Sequence, residues 1–179
     1  MNPEMKKNKS LKIFAALIPL FLIGIMVYLF FSFREKKEKI AALKNVPTFN
    51  LKTINGSSFT QQNLANDQIK VIVYFSPSCH FCQAEVEELS RSYEDYQNIQ
   101  WIWVASEPLN EIKGFAEQHR LNNQNNIIWC HDEMAILYRK TGMNSVPYFL
   151  VYDKENHLIK RNSGAIKLEK LINTSNENK

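Results

Sequence analysis

The sequence has few glycines, prolines and cysteines: five, six and three among 179 residues. This composition excludes collagen-like and low-complexity proteins, and no internal repeat is present. Three cysteines are too few, and odd in number, for a domain built on a disulfide framework. The sequence also lacks a basic cluster, because its net charge of +4 depends almost entirely on four lysines before residue 13. A nucleic-acid partner is therefore not expected, and the 45% of hydrophobic residues indicates an ordinary folded domain.

Charged side chains are absent from residues 13–33, a run of 21 residues. A helix of this length, rising ~1.5 Å per residue, spans the ~30 Å hydrocarbon core of a bilayer. A cleavable signal peptide would have an apolar core of ~7–15 residues followed by a small-x-small site, whereas FFSFREKK follows here. No cysteine ends the run to accept a lipid. We therefore predict an uncleaved transmembrane anchor in contact with the lipid bilayer.

The charges that flank the anchor leave its orientation nearly undecided. Four basic residues lie on each side: Lys6, Lys7, Lys9 and Lys12 before it, and Arg34, Lys36, Lys37 and Lys39 after it. The free amino terminus, together with Glu35 and Glu38, favours a cytoplasmic N-terminus. We expect a basic cytoplasmic segment (1–12), a transmembrane anchor (13–33), a charged stalk (34–45) and a globular domain (46–179).

Strands and helices are expected to alternate in the globular domain. Residues 48–60 alternate apolar and polar side chains around Asn55-Gly56, which predicts a β-hairpin. Further strands are predicted at 69–75, 99–105, 127–130, 148–153 and 157–162, and helices at 82–96, 109–121, 133–141 and 166–173. This order favours an α/β fold with a mixed central sheet and helices on both faces.

Cys79 and Cys82 form a C-x-x-C pair after the predicted strand 69–75. A cysteine at the start of a helix lies near unpaired backbone N–H groups and the positive end of the helix dipole, which both favour a thiolate. We therefore expect Cys79 to be the attacking sulfur, assisted by His80 when that side chain is charged. Cys82 lies one turn into the helix on its apolar face. It is expected to be the shielded sulfur that closes a disulfide onto Cys79.

Two other roles fit this pair less well. A structural zinc site needs about four ligands, and the further candidates beside the pair are Cys130, His131, His119 and His157. Adjacent Cys130 and His131 would point to opposite faces of an extended chain and could not both bind the same ion. We therefore expect no metal. A disulfide between residues three apart closes so small a loop that it adds little stability. Redox exchange is the favoured role.

The stretch YFSPSCHFCQAE, the preceding VPTFNLKTINGSSF and the later SVPYFLVYDKENHLI together resemble the thioredoxin superfamily. Within it, they are similar to the membrane-anchored TlpA/ResA-like thiol-disulfide oxidoreductases, which are redoxins related to the AhpC/TSA proteins. The resemblance covers about residues 46–173. It implies a thioredoxin-like fold without a cofactor, on the periplasmic side of the cytoplasmic membrane behind a single span.

The resemblance also assigns roles to individual residues. In this family a proline that faces the cysteines follows a cis peptide bond, and Pro147 after Val146 stands at the matching position, although most X–Pro bonds are trans. A backbone edge at Val146 and Pro147, with His80 and Phe81, would bind an extended segment of the substrate protein. The catalytic residues implied are Cys79, Cys82, Glu85 and Pro147.

Glu85 matches the acid of the family pattern C-x-x-C-x-x-E and borders the apolar face of its predicted helix. It would handle a proton near Cys82, or it is simply an acid that interacts favourably with the helix dipole. The sequence departs from thioredoxins at three positions, with Val73 in place of the buried acid, Ser78 in place of the usual Trp, and Phe81 in place of a frequent Pro. These departures leave the direction of electron flow open. Cys130 is expected to be a buried hydrophobe or an auxiliary thiol.

The predicted function is reduction of client disulfides through the Cys79/Cys82 dithiol. The expected partners are client proteins with disulfides or thiols, with apocytochrome c as a candidate, and a membrane or periplasmic thiol as electron donor. One alternative is a peroxiredoxin-type thiol peroxidase, whose pattern P-x-x-x-S/T-x-x-C is not supplied by SPSCHFC. Another is a non-enzymatic module for metal or haem. Haem attachment would need C-x-x-C-H, and Gln83 follows Cys82.

Overall fold

The computed structural model describes residues 3–173. Contacts divide the chain into two compact units, with the boundary between Lys39 and Ile40. The first unit belongs to helix α1, Pro3–Ala42, which includes the predicted anchor and most of the predicted stalk. Its stretch Leu17–Arg34 is long and apolar enough to cross a membrane, and its side chains are not buried by the protein. Residues 1–2 of the predicted N-terminal segment and 174–179 of the predicted domain lie outside the described residues.

The second unit is built around a seven-stranded sheet with the order β2-β1-β5-β4-β3-β6-β7. Its strands are β1 Asn50–Thr53, β2 Ser58–Thr60, β3 Ile69–Tyr74, β4 Ile99–Ala105, β5 Ile127–His131, β6 Tyr148–Tyr152 and β7 Leu158–Ser163. The three central strands β5, β4 and β3 are parallel, whereas β1, β2, β6 and β7 pair antiparallel with their neighbours. The predicted mixed sheet and both hairpins are confirmed.

Helices cover both faces of the sheet, as predicted. They are α2 His80–Arg91, α3 Leu109–Gln118, α4 Ile136–Thr141 and α5 Leu168–Ile172. Side chains of α2, α3 and α5 form one core with Val71, Val73 and three tryptophans. The other core lies on the opposite face and includes Leu137 of α4. Because successive residues of a strand point to opposite faces, each buried strand contributes to both cores.

The N-terminal hairpin turns at Asn55-Gly56, where Gly56 adopts a φ of +83°. The Gly56 N–H donates to the Thr53 carbonyl at 2.9 Å, and the Thr53 N–H donates to the Ser57 carbonyl at 2.8 Å. A positive φ is a conformation that glycine adopts without steric cost, so the Asn-Gly signal predicted this turn correctly.

Three predicted helices are shorter than the hydrophobic pattern indicated. The helix predicted at 82–96 starts at His80, ends at Arg91 and is followed by a 3₁₀ turn, Tyr93–Tyr96. The helix predicted at 109–121 ends at Gln118, because Arg120 has a φ of +57°. The helix predicted at 166–173 is confined to Leu168–Ile172. Hydrophobic periodicity continues past a helix end, so it defines the buried face better than the boundary.

The helix predicted at 133–141 is divided in two. Met134 and Ala135 lie in the left-handed region with φ values of 54° and 51°, and α4 begins only at Ile136. The buried Asp132 explains this start, because its carboxylate accepts hydrogen bonds from the N–H groups of Leu137 at 3.0 Å and Tyr138 at 3.2 Å. It also accepts one from the Tyr74 hydroxyl at 3.0 Å. Such side-chain capping satisfies backbone donors at a helix start.

The folded unit starts upstream of Val46, where the sequence placed the domain boundary. Leu43 is 1% exposed and packs in the core on the α4 face of the sheet. The Lys44 carbonyl accepts from the Leu158 N–H at 2.8 Å, and the Val46 N–H donates to the Asn156 carbonyl at 3.2 Å. Backbone pairing with the β6–β7 hairpin therefore orders residues that looked like a solvent-exposed stalk.

Candidate functional site

Both cysteines lie at the edge of the sheet where the parallel strands end. The Phe75 N–H still pairs with the Val104 carbonyl at 2.9 Å, and the chain then turns so that the Cys79 N–H donates to the Ser76 carbonyl at 3.1 Å. Cys79 is the N-cap residue of α2, as the sequence predicted. Sites of α/β proteins commonly form at this edge, because the loops after parallel strands meet there.

Cys79 is the partly exposed sulfur of the pair. Its thiol donates a hydrogen bond to the Val146 carbonyl, with 3.7 Å between sulfur and oxygen. Its own carbonyl accepts the first hydrogen bond of α2, from the Gln83 N–H at 3.0 Å. Cys79 is thus a partly exposed residue whose sulfur faces the loop that precedes β6.

Cys82 is completely buried, in the core that also contains Val86 and Leu89. Burial raises the pKa of its thiol far above the ordinary range for cysteine. A hydrogen bond with the Cys79 thiol and the nearby Glu85 carboxylate raise this pKa further, while a backbone hydrogen bond from Ser76 opposes them. Since only the thiolate is a nucleophile, Cys82 needs a group that takes its proton.

Glu85 lies one turn further along α2 and is 4% exposed. Its Oε1 accepts a hydrogen bond from the Ile166 N–H at 2.7 Å. Its Oε2 is buried without a hydrogen-bond partner among the described residues. Burial raises the pKa of Glu85 to about 7, an effect opposed by the Ile166 hydrogen bond and increased by the charge of Glu88. At neutral pH this carboxyl group is therefore able both to accept and to release a proton.

The peptide bond between Val146 and Pro147 is cis, as the resemblance implied. Pro147 is buried at the start of β6, and its carbonyl accepts from the Gly164 N–H at 2.9 Å. Val146 is partly buried against both cores. The structure thus brings Val146, and with it Pro147, to the Cys79 sulfur across 67 positions of the chain. Cys82 and Glu85 lie on the helix that Cys79 caps.

His80 and Phe81, which the sequence assigned to substrate binding, form the exposed first turn of α2. The Phe81 side chain is 61% exposed, and its ring centroid lies 6.1 Å from that of His80. An aromatic side chain that is exposed between two cysteines is available to contact a polypeptide, since aromatic residues are enriched in protein interfaces. The substrate-binding role of both residues stays a prediction.

Cys130 lies in the other core, on the opposite face of the sheet from Cys82. It is fully buried, and burial raises the pKa of its thiol to about 12. This environment is that of a buried hydrophobe rather than of an auxiliary thiol. Within residues 3–173, no group of three or more His, Cys, Asp or Glu side chains is arranged to hold a metal ion.

Sequence reasoning missed the contribution of residues 163–168, which we call the bridging segment. Its Ile166 and Leu168 N–H groups donate to Glu85 and Glu88, and its Gly164 N–H donates to Pro147. Backbone donors have no side-chain signature, so no pattern could have indicated them. The one visible signal was Gly164, whose φ of +87° is typical of glycine in a tight turn.

A mixed sheet, a C-x-x-C pair at the start of a helix and a facing cis-proline define the class of thioredoxin-like proteins. The chain belongs to the AhpC/TSA family, which it matches over residues 43–169. No curated protein matches it significantly. The prediction of an oxidoreductase of the thioredoxin superfamily is confirmed by this family and by the fold.

Solved structures with the same fold include bacterial redox proteins. A secreted Mycobacterium tuberculosis disulfide oxidoreductase, described as homologous to E. coli DsbE, is 18% identical with a TM-score of 0.59, and the match covers 72% of this chain and 95% of that one. A putative thioredoxin from Neisseria meningitidis is 22% identical with a TM-score of 0.61, over 74% and 89%. StoA from Bacillus subtilis is 16% identical with a TM-score of 0.56, over 72% and 96%. At these identities the likeness shows the fold.

Proposed function

We propose that the protein is a membrane-anchored thiol-disulfide oxidoreductase that reduces disulfides of client proteins through Cys79 and Cys82. The observation that supports this proposal is the unequal placement of the two sulfurs. Cys79 is partly exposed at a helix N-cap, whereas Cys82 is buried directly behind it and beside a titratable carboxyl group. This is the arrangement that a two-step exchange requires, with one sulfur to attack and one to resolve.

In the first step the Cys79 thiolate attacks one sulfur of a client disulfide. A bond forms between Cys79 and the client, and the second client sulfur leaves as a thiolate that takes up a proton. Cys79 is the N-cap residue of α2, so the attacking sulfur lies at the N-terminal end of that helix. The Val146 carbonyl lies 3.7 Å from the Cys79 sulfur, and we expect the client chain to approach from this side.

In the second step Cys82 attacks Cys79 and releases the client. The Cys82 thiol gives its proton to the Glu85 carboxylate, its thiolate bonds to the Cys79 sulfur, and the client sulfur leaves as a thiolate and is protonated. Over both steps the client disulfide gains two electrons, and the enzyme dithiol becomes a disulfide. A thiol donor of the membrane or periplasm then restores the dithiol. None of these steps requires a cofactor.

The client is expected to bind as an extended segment next to Val146 and Pro147. The loop before β6 presents backbone groups beside Cys79, and an extended chain pairs with such groups independently of its sequence. His80 and Phe81 on the exposed first turn of α2 add contacts to side chains of the client. This mode suits a protein with several clients, among which apocytochrome c is a candidate.

We expect disulfide reduction by the full-length protein in detergent, with insulin as the disulfide substrate and dithiothreitol as the reductant. Cys79→Ser should lower the rate to the uncatalysed level, because the exposed nucleophile is lost. Cys130→Ser is the matched control and should retain the wild-type rate, because that thiol lies on the other face of the sheet. An unchanged rate in Cys79→Ser would contradict the proposal.

A peroxiredoxin-type thiol peroxidase, the alternative that the sequence raised, is the second candidate for this member of the AhpC/TSA family. The same preparation distinguishes the two when hydrogen peroxide replaces insulin. Rapid turnover of peroxide, with slow reduction of insulin, would favour the peroxidase. Metal analysis of the reduced protein tests the remaining alternative, a module that handles metal or haem.

The anchor and the chemistry together suggest where the domain works. A tethered dithiol has a distinct use where disulfides persist, so we expect the domain to lie outside the cytoplasmic membrane, with residues 1–12 in the cytoplasm. We expect alkaline phosphatase fused after Lys179 to be active in a bacterial host, and green fluorescent protein at the same position to be dark. A fluorescent fusion combined with an inactive phosphatase fusion would show the opposite orientation.

A further inference from the structure

We propose that the backbone N–H of Ile166 is a positioning group for the redox reaction: it holds Glu85 Oε1, so that Oε2 is the oxygen atom that exchanges the proton with Cys82. This inference rests on the proposed function and identifies the element that controls its proton acceptor. The element is the bridging segment, residues 163–168, which runs from the last residue of β7 to the first residue of α5 and is remote in sequence from the cysteines.

The bridging segment makes backbone hydrogen bonds to both halves of the site. Towards α2, the Ile166 N–H donates to Glu85 Oε1 at 2.7 Å and the Leu168 N–H donates to Glu88 Oε1 at 3.2 Å. Towards the loop before β6, the Gly164 N–H donates to the Pro147 carbonyl at 2.9 Å. One short segment therefore fixes both the carboxyl group beside Cys82 and the loop beside Cys79.

The two oxygen atoms of Glu85 are not equivalent in this arrangement. Oε1 has a strong donor, whereas Oε2 is buried without a hydrogen-bond partner among the described residues. In a protonated carboxyl group the carbonyl oxygen is a better acceptor for a backbone N–H than the hydroxyl oxygen is, so the proton of the neutral acid belongs on Oε2. In a buried site an unpartnered carboxylate oxygen is costly, and a proton on Oε2 removes the charge, which is the larger part of that cost.

Few charged groups compete with Ile166 for control of Glu85. On α2, the carboxylate of Glu88 acts on Glu85, and Glu85 in turn acts on the Cys82 thiol. Among the described residues of the bridging segment and α5, the Ile166 N–H is the group with a resolved effect on the pKa of Glu85. It favours the carboxylate and so lowers that pKa. Removing this donor should therefore raise the pKa of Glu85, so that less of it is in the carboxylate form that accepts a proton at neutral pH.

The test follows both steps in the full-length protein in detergent by stopped-flow absorbance with Ellman's reagent. Attack by Cys79 releases the first equivalent of the coloured thiolate, and attack by Cys82 on the mixed disulfide releases the second. The amide of residue 166 is replaced with an ester by incorporating the matching α-hydroxy acid, which removes the N–H and keeps the side chain. An ester at residue 168 is the matched control, because that N–H contacts Glu88 and not Glu85.

We expect the ester at residue 166 to raise the pH midpoint of the second phase by about one unit and to slow that phase about tenfold below the midpoint. The first phase should be unchanged, since Cys79 attack does not use Glu85. The ester at residue 168 should retain the wild-type midpoint. An ester at residue 166 that leaves the midpoint unchanged would overturn the inference.

Glu85→Gln separates failure of this inference from failure of the proposed function. If Glu85 accepts the proton, Glu85→Gln abolishes the pH midpoint of the second phase, and the ester at residue 166 has no further effect in that background. If Glu85→Gln keeps the wild-type midpoint, the proton acceptor itself is wrongly assigned. If Glu85→Gln removes the midpoint but the ester at residue 166 does not move it in the Glu85 protein, only the role of Ile166 is wrong.

Discussion

Replacing Cys82 with Ser is expected to leave Cys79 covalently joined to client proteins in cells. Attack by Cys79 on a client disulfide forms a mixed disulfide that is normally broken when Cys82 attacks Cys79. Serine at position 82 removes the resolving sulfur while leaving Cys79 partly exposed at the N-cap of α2. The intermediate should therefore accumulate. It should appear as high-mass bands on non-reducing gels that disappear with dithiothreitol, and mass spectrometry of the bands should identify the client.

The variant Cys79→Ser is the matched control for this experiment. It retains Cys82, which is fully buried and whose thiol has a strongly raised pKa. Cys82 should therefore trap much less client than Cys79 does. Cys130→Ser combined with Cys82→Ser should trap as much as Cys82→Ser alone, because Cys130 is fully buried in the other core. Equal trapping by Cys79→Ser and Cys82→Ser would reverse or abolish the assigned roles.

Replacing Glu85 with Gln is expected to slow the step in which Cys82 attacks, by about a hundredfold near pH 8. The pKa of Glu85 is raised to about 7, so the wild-type rate should increase as pH rises through that value and the acid becomes a proton acceptor. Glutamine cannot accept the proton, so this pH dependence should disappear. Alkylation of each thiol as a function of pH, followed by mass spectrometry, measures the effect site by site.

The Glu85 carboxyl group also predicts how the stability of the folded domain depends on pH. Its pKa is raised from 4.5 to about 7 by burial, so the folded state binds the proton more tightly than the unfolded chain does. The stabilising contribution is complete below about pH 4.5 and is lost as pH rises through about 7. It amounts to at most about 3 kcal/mol in the free energy of unfolding. Denaturant unfolding at pH 5 and pH 8 should show this loss in the wild-type protein but not in Glu85→Gln.

Glu87→Gln is the matched control for both measurements. Glu87 lies on the same helix, but its side chain is 59% exposed and pairs with Arg91 at 3.1 Å. A surface ion pair of this kind contributes little to stability, so the variant should keep the wild-type pH profiles. If Glu85→Gln and Glu87→Gln give the same profiles, Glu85 is an ordinary helix acid and not the proton acceptor of Cys82.

Much of the fold was predictable because its signals are local. Alternating and buried apolar runs indicated all seven strands, and Asn55-Gly56 indicated the first turn. Helix ends were less predictable, since they depend on contacts that periodicity does not encode. The start of α4 is set by Asp132, whose carboxylate caps two N–H groups, and the ordered residues after α1 are held by pairing with a hairpin more than 100 positions away.

The two cysteines and their unequal exposure were also predictable. Their spacing places Cys79 at the helix start and Cys82 on the apolar face one turn later, and helix geometry requires nothing further. The apolar segment that is able to cross a membrane is likewise a property of 21 consecutive residues. These features depend on neighbours in the chain, so the sequence alone determined which cysteine is partly exposed, which cysteine is buried and where the candidate anchor lies.

Only the tertiary structure decided how the surroundings of the cysteines are arranged. It brought the Val146 carbonyl to the Cys79 sulfur, separated Cys130 from the site by the full thickness of the sheet, and placed the Ile166 N–H on Glu85 across 81 positions of sequence. The acidity of a buried carboxyl group depends on desolvation and on hydrogen bonds. Both are created by packing between distant segments, so the pKa of Glu85 is raised to about 7 only in the folded domain, where burial raises it and the Ile166 N–H opposes that rise.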